Sequence, residues 1–301
     1  MQSRREIMMT SGRDDPAKRR KTRDDAPPPP DYVGIGGAAE WRCRIELANC
    51  YRIVAKLGAA DWGWTHCVYN HITYKLPDAC AEALELPQMK DRLFLINAFG
   101  CRFDEVTPES LHTIDDDGNI IRRGGAIDGC VDHGILLAGY MIHSAIHKAR
   151  PDVRAIFHTH HPDCVAVCSL KSGLLPCSHE GCLALSLLSP TRHPYEGTAT
   201  DESEKARIAS ALGPEAMSVI LDNHGVVCCG HTLQAALRNI WIFTKAATYQ
   251  VRMLSAAGGD TERLILVPDT IRSAVAEREM RQQSQPMGLI EYEAWLRGAA
   301  I

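Results

Sequence analysis

Residues 153–161 have the sequence VRAIFHTHH, and this stretch decides how the rest of the chain is interpreted. Its β-branched and aromatic residues predict a short strand. His158 and His160 lie two positions apart, so on a strand their side chains leave the same face. Both fall at the end of the run, where a layered domain opens to solvent. Hydrogen-bonded strand-end histidines are one interpretation, and two ligands of one metal ion are the other.

A third histidine comes from residues 217–230, MSVILDNHGVVCCG, which predict two apolar strands joined by a His-Gly turn. His224 lies in that turn and can meet His158 and His160 in space. Three neutral imidazoles with an open fourth position are typical of a catalytic zinc site. Iron, manganese and cobalt accept the same ligands, so the spacing leaves the metal open.

A second histidine pair, His143 and His147, lies at i,i+4 on a predicted helix, which places both rings on one face. The pair resembles the start of a metalloprotease motif, but Ser144 occupies the position of the glutamate base, so a protease is disfavoured. We assign His147 to structure and keep His143 as a catalytic candidate behind the ligands or against the substrate. Further histidine candidates for the cleft are His71, His133, His161 and His179.

Helical and strand-like segments alternate along the chain, and adjacent strand-like runs imply antiparallel pairing. This order predicts an α/β fold with three αβα layers and a mixed, largely antiparallel central sheet. The predicted helices are 40–56, 134–149, 162–173, 203–212, 233–256 and 289–299, and the further predicted strands are 67–76, 92–99 and 120–121.

The Asp-rich run 115–119 precedes the last of these strands. It resembles a calcium loop, but it lacks the full set of ligands and the closing glutamate, so a hairpin turn is favoured.

Three parts are predicted along the chain. Residues 1–31 form a charged, Pro-rich tail that cannot bury enough apolar area to become ordered. Residues 32–262 form the folded domain, and residues 263–301 form an extension with a short helix. The basic run Lys18–Lys21 is either a nuclear import signal or part of an ordinary solvated tail, because aspartates flank it closely.

Composition excludes several classes of protein. A net charge of −4 and a pI near 6.3 argue against a nucleic-acid partner, which requires a basic face. Neither a secretory leader nor an apolar run of about 20 residues is present, so no membrane span is expected. The twelve cysteines lie mostly in apolar runs. We expect them to be reduced and the protein to be cytoplasmic.

Several segments, in order, resemble the class II aldolase/adducin family, particularly its adducin-like branch. They are YRIVAKLG, VYNHITYKLP, FLINAFGCRFDEVTPESL, DDDGNI, ARPDVRAIFHTHH and LDNHGVVCCGHTLQAAL, and they span about residues 40–260. The resemblance implies that His158, His160 and His224 bind one divalent metal ion, zinc first, with iron or manganese as alternatives. It also implies a homotetramer with sites at subunit boundaries.

The resemblance does not extend to the residues with which the family's aldolases bind phosphate. Counting back from Arg150-Pro151-Asp152, their catalytic glutamate falls at Gly139 and their paired serines at Leu137 and Ala138. Their Gly-rich phosphate loop is replaced by Asp61–Trp64. Without backbone amides or hydroxyls around a phosphate, a phosphorylated sugar is not the expected substrate.

The expected function is therefore a metal-dependent lyase, an aldolase or decarboxylase, that acts on a small unphosphorylated keto, hydroxy or aromatic acid. Glu180 or His179 is the candidate acid/base, although Glu180 could equally be a surface carboxylate. Arg102 and Asn97 are the candidates for substrate binding, and Arg102 could instead be an ordinary loop arginine. The alternatives are an iron-dependent oxidative decarboxylase or oxygenase and a non-catalytic adducin-like scaffold.

Overall fold

A computed structural model describes residues 37–58, 67–199, 201–282 and 287–299. The predicted tail of residues 1–31, its basic run Lys18–Lys21 and the segment Asp61–Trp64 lie outside the described residues. Across the described residues, no helix combines the length and the apolar character that crossing a membrane requires.

One seven-stranded sheet forms the middle of the domain. Its strands are β1 (His71–Lys75), β2 (Leu93–Ile96), β3 (His112–Asp115), β4 (Ile120–Arg122), β5 (Ala155–Thr159), β6 (Ser218–Leu221) and β7 (Gly225–Gly230). Their spatial order is β4-β3-β2-β1-β5-β7-β6, and every neighbouring pair is antiparallel. Parallel contacts in the described part are two isolated bridges, Leu188–Ser218 and His193–Leu221. The predicted largely antiparallel sheet is confirmed.

Helices cover both faces of this sheet. They are α1 (Gly37–Gly58), α2 (Asp78–Ala83), α3 (Leu137–Ala149), α4 (Pro162–Cys168), α5 (His179–Leu187), α6 (Glu204–Leu212), α7 (Leu233–Ala256), α8 (Asp269–Gln282) and α9 (Leu289–Gly298). Three of them, α2, α5 and α8, were not predicted from the sequence. The extension after residue 262 therefore contains two helices where one was expected.

The alternation of side chains along the strands builds two cores, one on each face. Ile72 and Phe157 join the core beneath α1, α4 and α7, whereas Phe94, Ile156 and Val227 join the core beneath α3 and α6. Burial of apolar side chains on both faces stabilises the sheet at roughly 25 cal/mol per Å² of apolar area removed from water. The three-layer αβα prediction is confirmed.

The cysteines differ from the expectation in one place. Ten are free, but Cys101 and Cys130 form a disulfide, so the expectation that all are reduced is wrong for this pair. The chain after β4 folds back onto Phe99, which exchanges backbone hydrogen bonds with His133 and Gly134. This return brings two cysteines that are 29 positions apart to a Cα separation of 5.9 Å, a contact that spacing alone does not reveal.

The Asp-rich run forms the predicted hairpin turn between β3 and β4. The Asp115 carboxylate accepts hydrogen bonds from the backbone N–H groups of Asp117 and Asn119, and Arg92 pairs with Asp116 and Asp117. These carboxylates are therefore committed to the turn and to one arginine.

A buried ion pair connects α1 to the edge of the sheet. Arg44 and Glu40 are fully buried, and Arg44 Nε donates to Glu40 Oε1 at 2.7 Å. The same guanidinium donates to Thr113 Oγ1 at 2.6 Å and to the carbonyl oxygen of Leu111. One side chain thus satisfies acceptors on α1 and on the stretch 111–113 that enters β3.

We expect Arg44→Met to lower the free energy of unfolding by about 3 kcal/mol, because it leaves a buried carboxylate and two buried acceptors short of donors. Urea denaturation followed by circular dichroism measures this loss. The matched control is Arg281→Met, which removes an exposed pair with Glu277 and should cost less than about 1 kcal/mol. Equal losses in the two variants would contradict the assignment.

Candidate metal centre

The structure brings together the three histidines predicted as metal ligands. His158 lies in β5, His160 follows one residue beyond its end, and His224 lies in the turn between β6 and β7. One nitrogen from each ring lies within 4.8 Å of the others. Their ring centroids are 4.6–4.8 Å apart. The shared face of His158 and His160 thus meets the turn as the sequence predicted.

A glycine allows His224 to approach this closely. Gly225 has a φ of 154°, and an ideal Cβ at this position would lie 2.4 Å from the carbonyl oxygen of Thr159 in β5. A side chain would therefore push the turn away from the end of β5. Asn223 adopts a left-handed φ of 56°, a conformation that asparagine tolerates better than most residues.

The hydrogen bonds of His158 prepare its ring as a ligand. Its Nδ1–H donates to the carbonyl oxygen of Val226 at 3.1 Å, which leaves Nε2 as the nitrogen with a free lone pair. Such a bond from the second ring nitrogen is the usual support of a metal-binding histidine. His158 Nε2 lies 2.7 Å from His160 Nε2. Two nitrogens on one tetrahedral zinc would be about 3.3 Å apart, so a small ring rotation suffices.

Electrostatics favour neutral rings at the site. Burial lowers the pKa of His158 well below its usual range, and the neighbouring His160 and His224 lower it further. Burial also lowers the pKa of His224, against an opposing effect of the Glu204 carboxylate. A neutral imidazole is the form that binds a metal ion, so the chemistry of this donor set fits a divalent cation.

The site opens into a cleft of about 610 Å³, lined by His160, Pro162, Val165, Ala166, Tyr195, Asn223 and His224. Apolar side chains form one wall. Tyr195 is 58% exposed, and its ring centroid lies 6.5 Å from that of His224. None of these lining residues is a lysine or an arginine, so the described part of this chain places no permanent positive charge in the cleft.

The family model of the Class II Aldolase and Adducin N-terminal domain matches residues 46–251. The chain belongs to this family. A Pseudomonas aeruginosa protein provisionally named as an aldolase class 2 protein is 35% identical over 263 residues, which are 86% of this chain and 90% of that protein. Class II aldolases generally depend on a divalent metal ion, in agreement with the donor set.

Two further relatives mark different branches of the class II aldolase/adducin family. Alpha-adducin of Rattus norvegicus is 38% identical over 225 residues, which are 75% of this chain but 27% of the adducin. The structure of L-fuculose 1-phosphate aldolase from Glaciozyma antarctica PI12 matches with a TM-score of 0.67 and 26% identity. That match covers 90% of this chain and 93% of the aldolase.

His143, which was also predicted as a catalytic residue, lies behind the metal ligands. Its side chain is fully buried in α3, where Nε2 is 2.8 Å from His71 Nδ1 and Nδ1 is 2.7 Å from Thr73 Oγ1. Both of its ring nitrogens are therefore occupied by protein partners, so neither is free to bond a substrate. His143 can therefore act only through His71, whose ring stacks on that of His158 with centroids 5.1 Å apart.

The predicted substrate-binding residues have other partners in the structure. Arg102 pairs with Asp104 and Glu105 on the surface. Asn97 is buried and accepts a hydrogen bond from Tyr51 Oη at 2.8 Å. The partners of Arg102 follow it closely in the sequence, whereas Tyr51 lies 46 positions from Asn97. The substrate-binding roles stay predictions.

The predicted acid/base residues begin a helix. His179 is exposed and Glu180 is half-buried in the first turn of α5, which Ser178 caps by accepting a hydrogen bond from the backbone N–H of Gly181. They were predicted to lie in a polar interruption, and the helix was missed because its hydrophobic residues show little periodicity. Neither is among the described residues that line the cleft. Their catalytic role stays a prediction.

A second cluster near the site was missed from the sequence. His193, Glu196 and Glu204 offer ligand atoms within 4.8 Å of one another. However, His193 Nε2 already lies 2.9 Å from Glu204 Oε1, and Arg207 holds Glu196 in a two-pronged ion pair. Both carboxylates of the cluster therefore already have partners, while His193 Nδ1 is buried without a hydrogen-bond partner. The three residues line one small cavity together with His224.

We expect His160→Ala to abolish stable metal binding, because two remaining imidazoles do not hold a divalent ion tightly. Elemental analysis of the purified protein should give close to one equivalent of a divalent metal ion for the natural chain and less than about one-tenth for the variant. His231→Ala, which changes an exposed histidine, is the control and should retain the metal. Absence of metal from the natural chain after loading would contradict the site.

Gly225→Ala should weaken metal binding and stability together, because the added Cβ collides with Thr159 and displaces the His224 turn. The strain should cost about 1–3 kcal/mol in the free energy of unfolding. Competition with a coloured chelator measures the metal affinity. Gly298→Ala, at a position whose Cβ would meet nothing within 4 Å, should change neither quantity appreciably.

Proposed function

We propose that this member of the class II aldolase/adducin family is a divalent-metal-dependent lyase. Its substrate is a small unphosphorylated keto, hydroxy or aromatic acid in which a C–C bond is cleaved. The observation that carries the proposal is the convergence of His158, His160 and His224 beside an open cleft, which His160 and His224 line. A protein that only binds partners does not need three neutral nitrogen ligands at the mouth of a cleft.

We propose zinc as the metal ion, with iron and manganese as alternatives that the same nitrogen ligands accept. When bound, the ion supplies Lewis-acid stabilisation of the negative charge that develops as the bond breaks. The protein's part is to hold the ligands: Val226 fixes the His158 ring, and Asn70 Oδ1 accepts from the backbone N–H of His160 at 3.3 Å. The side chains of Pro162, Val165 and Ala166 reduce the access of water to one side of the metal site.

An unphosphorylated substrate is proposed because the phosphate-binding features are missing. The positions that match the aldolases' serines and glutamate are Leu137, Ala138 and Gly139, none of which has a polar side chain. The lining residues of the cleft include no lysine or arginine. L-Fuculose 1-phosphate, the substrate named for a relative at 26% identity, is therefore not the substrate we propose.

The acid/base of this chemistry remains a proposal for Glu180 or His179. Because these residues do not line the cleft of their own chain, the proposal requires a second subunit to supply them. A homotetramer with sites at subunit boundaries meets that requirement. We also propose a cytoplasmic location, since ten of the twelve cysteines are free thiols.

The function is tested by a turnover screen of the zinc-, manganese- and iron(II)-loaded protein. The substrates are unphosphorylated 4-hydroxy-2-oxo acids and catechol carboxylic acids, with L-fuculose 1-phosphate as the phosphorylated comparison. We expect kcat/KM for one of the acids to exceed that for the phosphate by at least about tenfold, and to fall at least about 100-fold in His160→Ala.

Other outcomes of the screen favour specific alternatives. Consumption of oxygen by the iron-loaded protein alone would favour oxidative decarboxylation. A fully loaded protein without turnover of any acid would favour a non-catalytic scaffold, the alternative supported by the similarity to alpha-adducin. Faster turnover of the sugar phosphate would contradict the proposed substrate class.

A further inference from the structure

Strand β1 places polar side chains on a buried face. In His71–Lys75, Ile72 and Tyr74 face the core beneath α1, while His71, Thr73 and Lys75 face α3 and are at most 3% exposed. Buried polar groups need hydrogen-bond partners, and α3 supplies them. The strand thus builds a polar row directly beside the metal histidines.

The row continues through four hydrogen bonds. His71 Nδ1 lies 2.8 Å from His143 Nε2, and His143 Nδ1 lies 2.7 Å from Thr73 Oγ1. Thr73 Oγ1 lies 2.8 Å from His147 Nε2, and His147 Nδ1 lies 3.3 Å from the carbonyl oxygen of Val153. We call these side chains the histidine chain.

The backbone carbonyl of Val153, at the far end of the histidine chain, determines which atom donates in each of these hydrogen bonds. A carbonyl oxygen only accepts, so His147 donates from Nδ1–H, and its neutral ring accepts at Nε2 from the Thr73 hydroxyl. The threonine oxygen then accepts from His143 Nδ1–H. His143 Nε2 in turn accepts from His71 Nδ1–H. His71 is left with a bare lone pair on Nε2.

This direction requires neutral rings, and the surroundings provide that condition. All three rings of the chain are buried, and the Lys75 ammonium donates to the backbone carbonyl of His147 at 3.0 Å. Burial lowers the pKa of His71 and His143 well below the usual range and, with Lys75, lowers that of His147 to about 3. A second positive charge beside the ammonium is disfavoured.

The His71 ring lies against one of the metal ligands. The two nitrogens of an imidazole point in roughly opposite directions, so His71 Nε2 points away from His143. The His71 ring stacks on that of His158, with ring centroids 5.1 Å apart and an interplanar angle of 23°. Gly139 leaves room for the His71 ring, since an ideal Cβ at position 139 would lie 2.8 Å from His71 Nε2.

We propose that His71 is a specificity residue, whose Nε2 accepts a hydrogen bond from a hydroxyl group of the substrate. This inference rests on the proposed function and narrows it. Because a bare nitrogen attracts a hydroxyl hydrogen and repels a carbonyl oxygen, the site selects a hydroxy acid over the matching oxo acid. Thr73 and His143 are positioning residues, which act through the tautomer of His71.

The test compares lactate, as both enantiomers, with pyruvate, because the two acids differ in a hydroxyl and a carbonyl oxygen at the same carbon. Isothermal titration calorimetry of the zinc-loaded full chain measures both dissociation constants. We expect one lactate enantiomer to bind about tenfold more tightly than pyruvate.

Thr73→Val breaks the histidine chain without entering the cleft and should reduce that ratio to about one. Thr73→Ser keeps the hydroxyl and should restore the natural ratio. Metal content and unfolding curves, measured in parallel, show that both variants are folded and loaded. Where Thr73→Val does not fold, Gly139→Ala replaces it, because its Cβ displaces the His71 ring and should lower the ratio in the same way.

A second readout needs no ligand. Nitrogen-15 spectra of histidine-labelled protein, with His71→Gln to assign the signal, should show a protonated Nδ1 and a bare Nε2 in the natural chain and in Thr73→Ser. A protonated Nε2 in the natural chain overturns the inference, as does equal binding of lactate and pyruvate. Failure of the loaded protein to bind either acid overturns the proposed substrate class as well.

Discussion

The pairing of β5 with β1 on one side and β7 on the other is the constraint on which the site depends. In this register His158 lies opposite His71 across one ladder and opposite Val227 across the other. A slip of one residue would turn His158 to the opposite face of the sheet, away from α3 and its histidines. The hydrophobic alternation that fills both cores therefore also fixes the positions of the metal ligands.

Local patterns made part of this arrangement predictable. The two-residue spacing of His158 and His160 at a strand end, and the position of His224 beside a glycine in a turn, are properties of short segments. The antiparallel layout followed from adjacent strand-like runs. Each of these features is determined by neighbours in sequence or by the period of a strand, so a single chain is enough to infer it.

Features that depend on distant packing were not predictable in the same way. The full burial of His143 and the contact between Cys101 and Cys130 each arise where separate segments meet. One signal was present but not recognised: the HITYK segment alternates apolar residues with His71, Thr73 and Lys75. Such alternation ordinarily indicates a solvated face. Here α3 covers that face and supplies the partners.

The Cys101–Cys130 disulfide constrains one edge of the sheet. Strands β3 and β4 form the hairpin at this edge, and β4 is a three-residue edge strand. The Cys101–Cys130 bond closes the chain around this hairpin. An exposed strand edge can pair with another molecule and begin aggregation. The covalent loop limits how far this hairpin can separate from β2. Exposure of the β2 edge to strands of other molecules therefore depends on the oxidation state of Cys101 and Cys130.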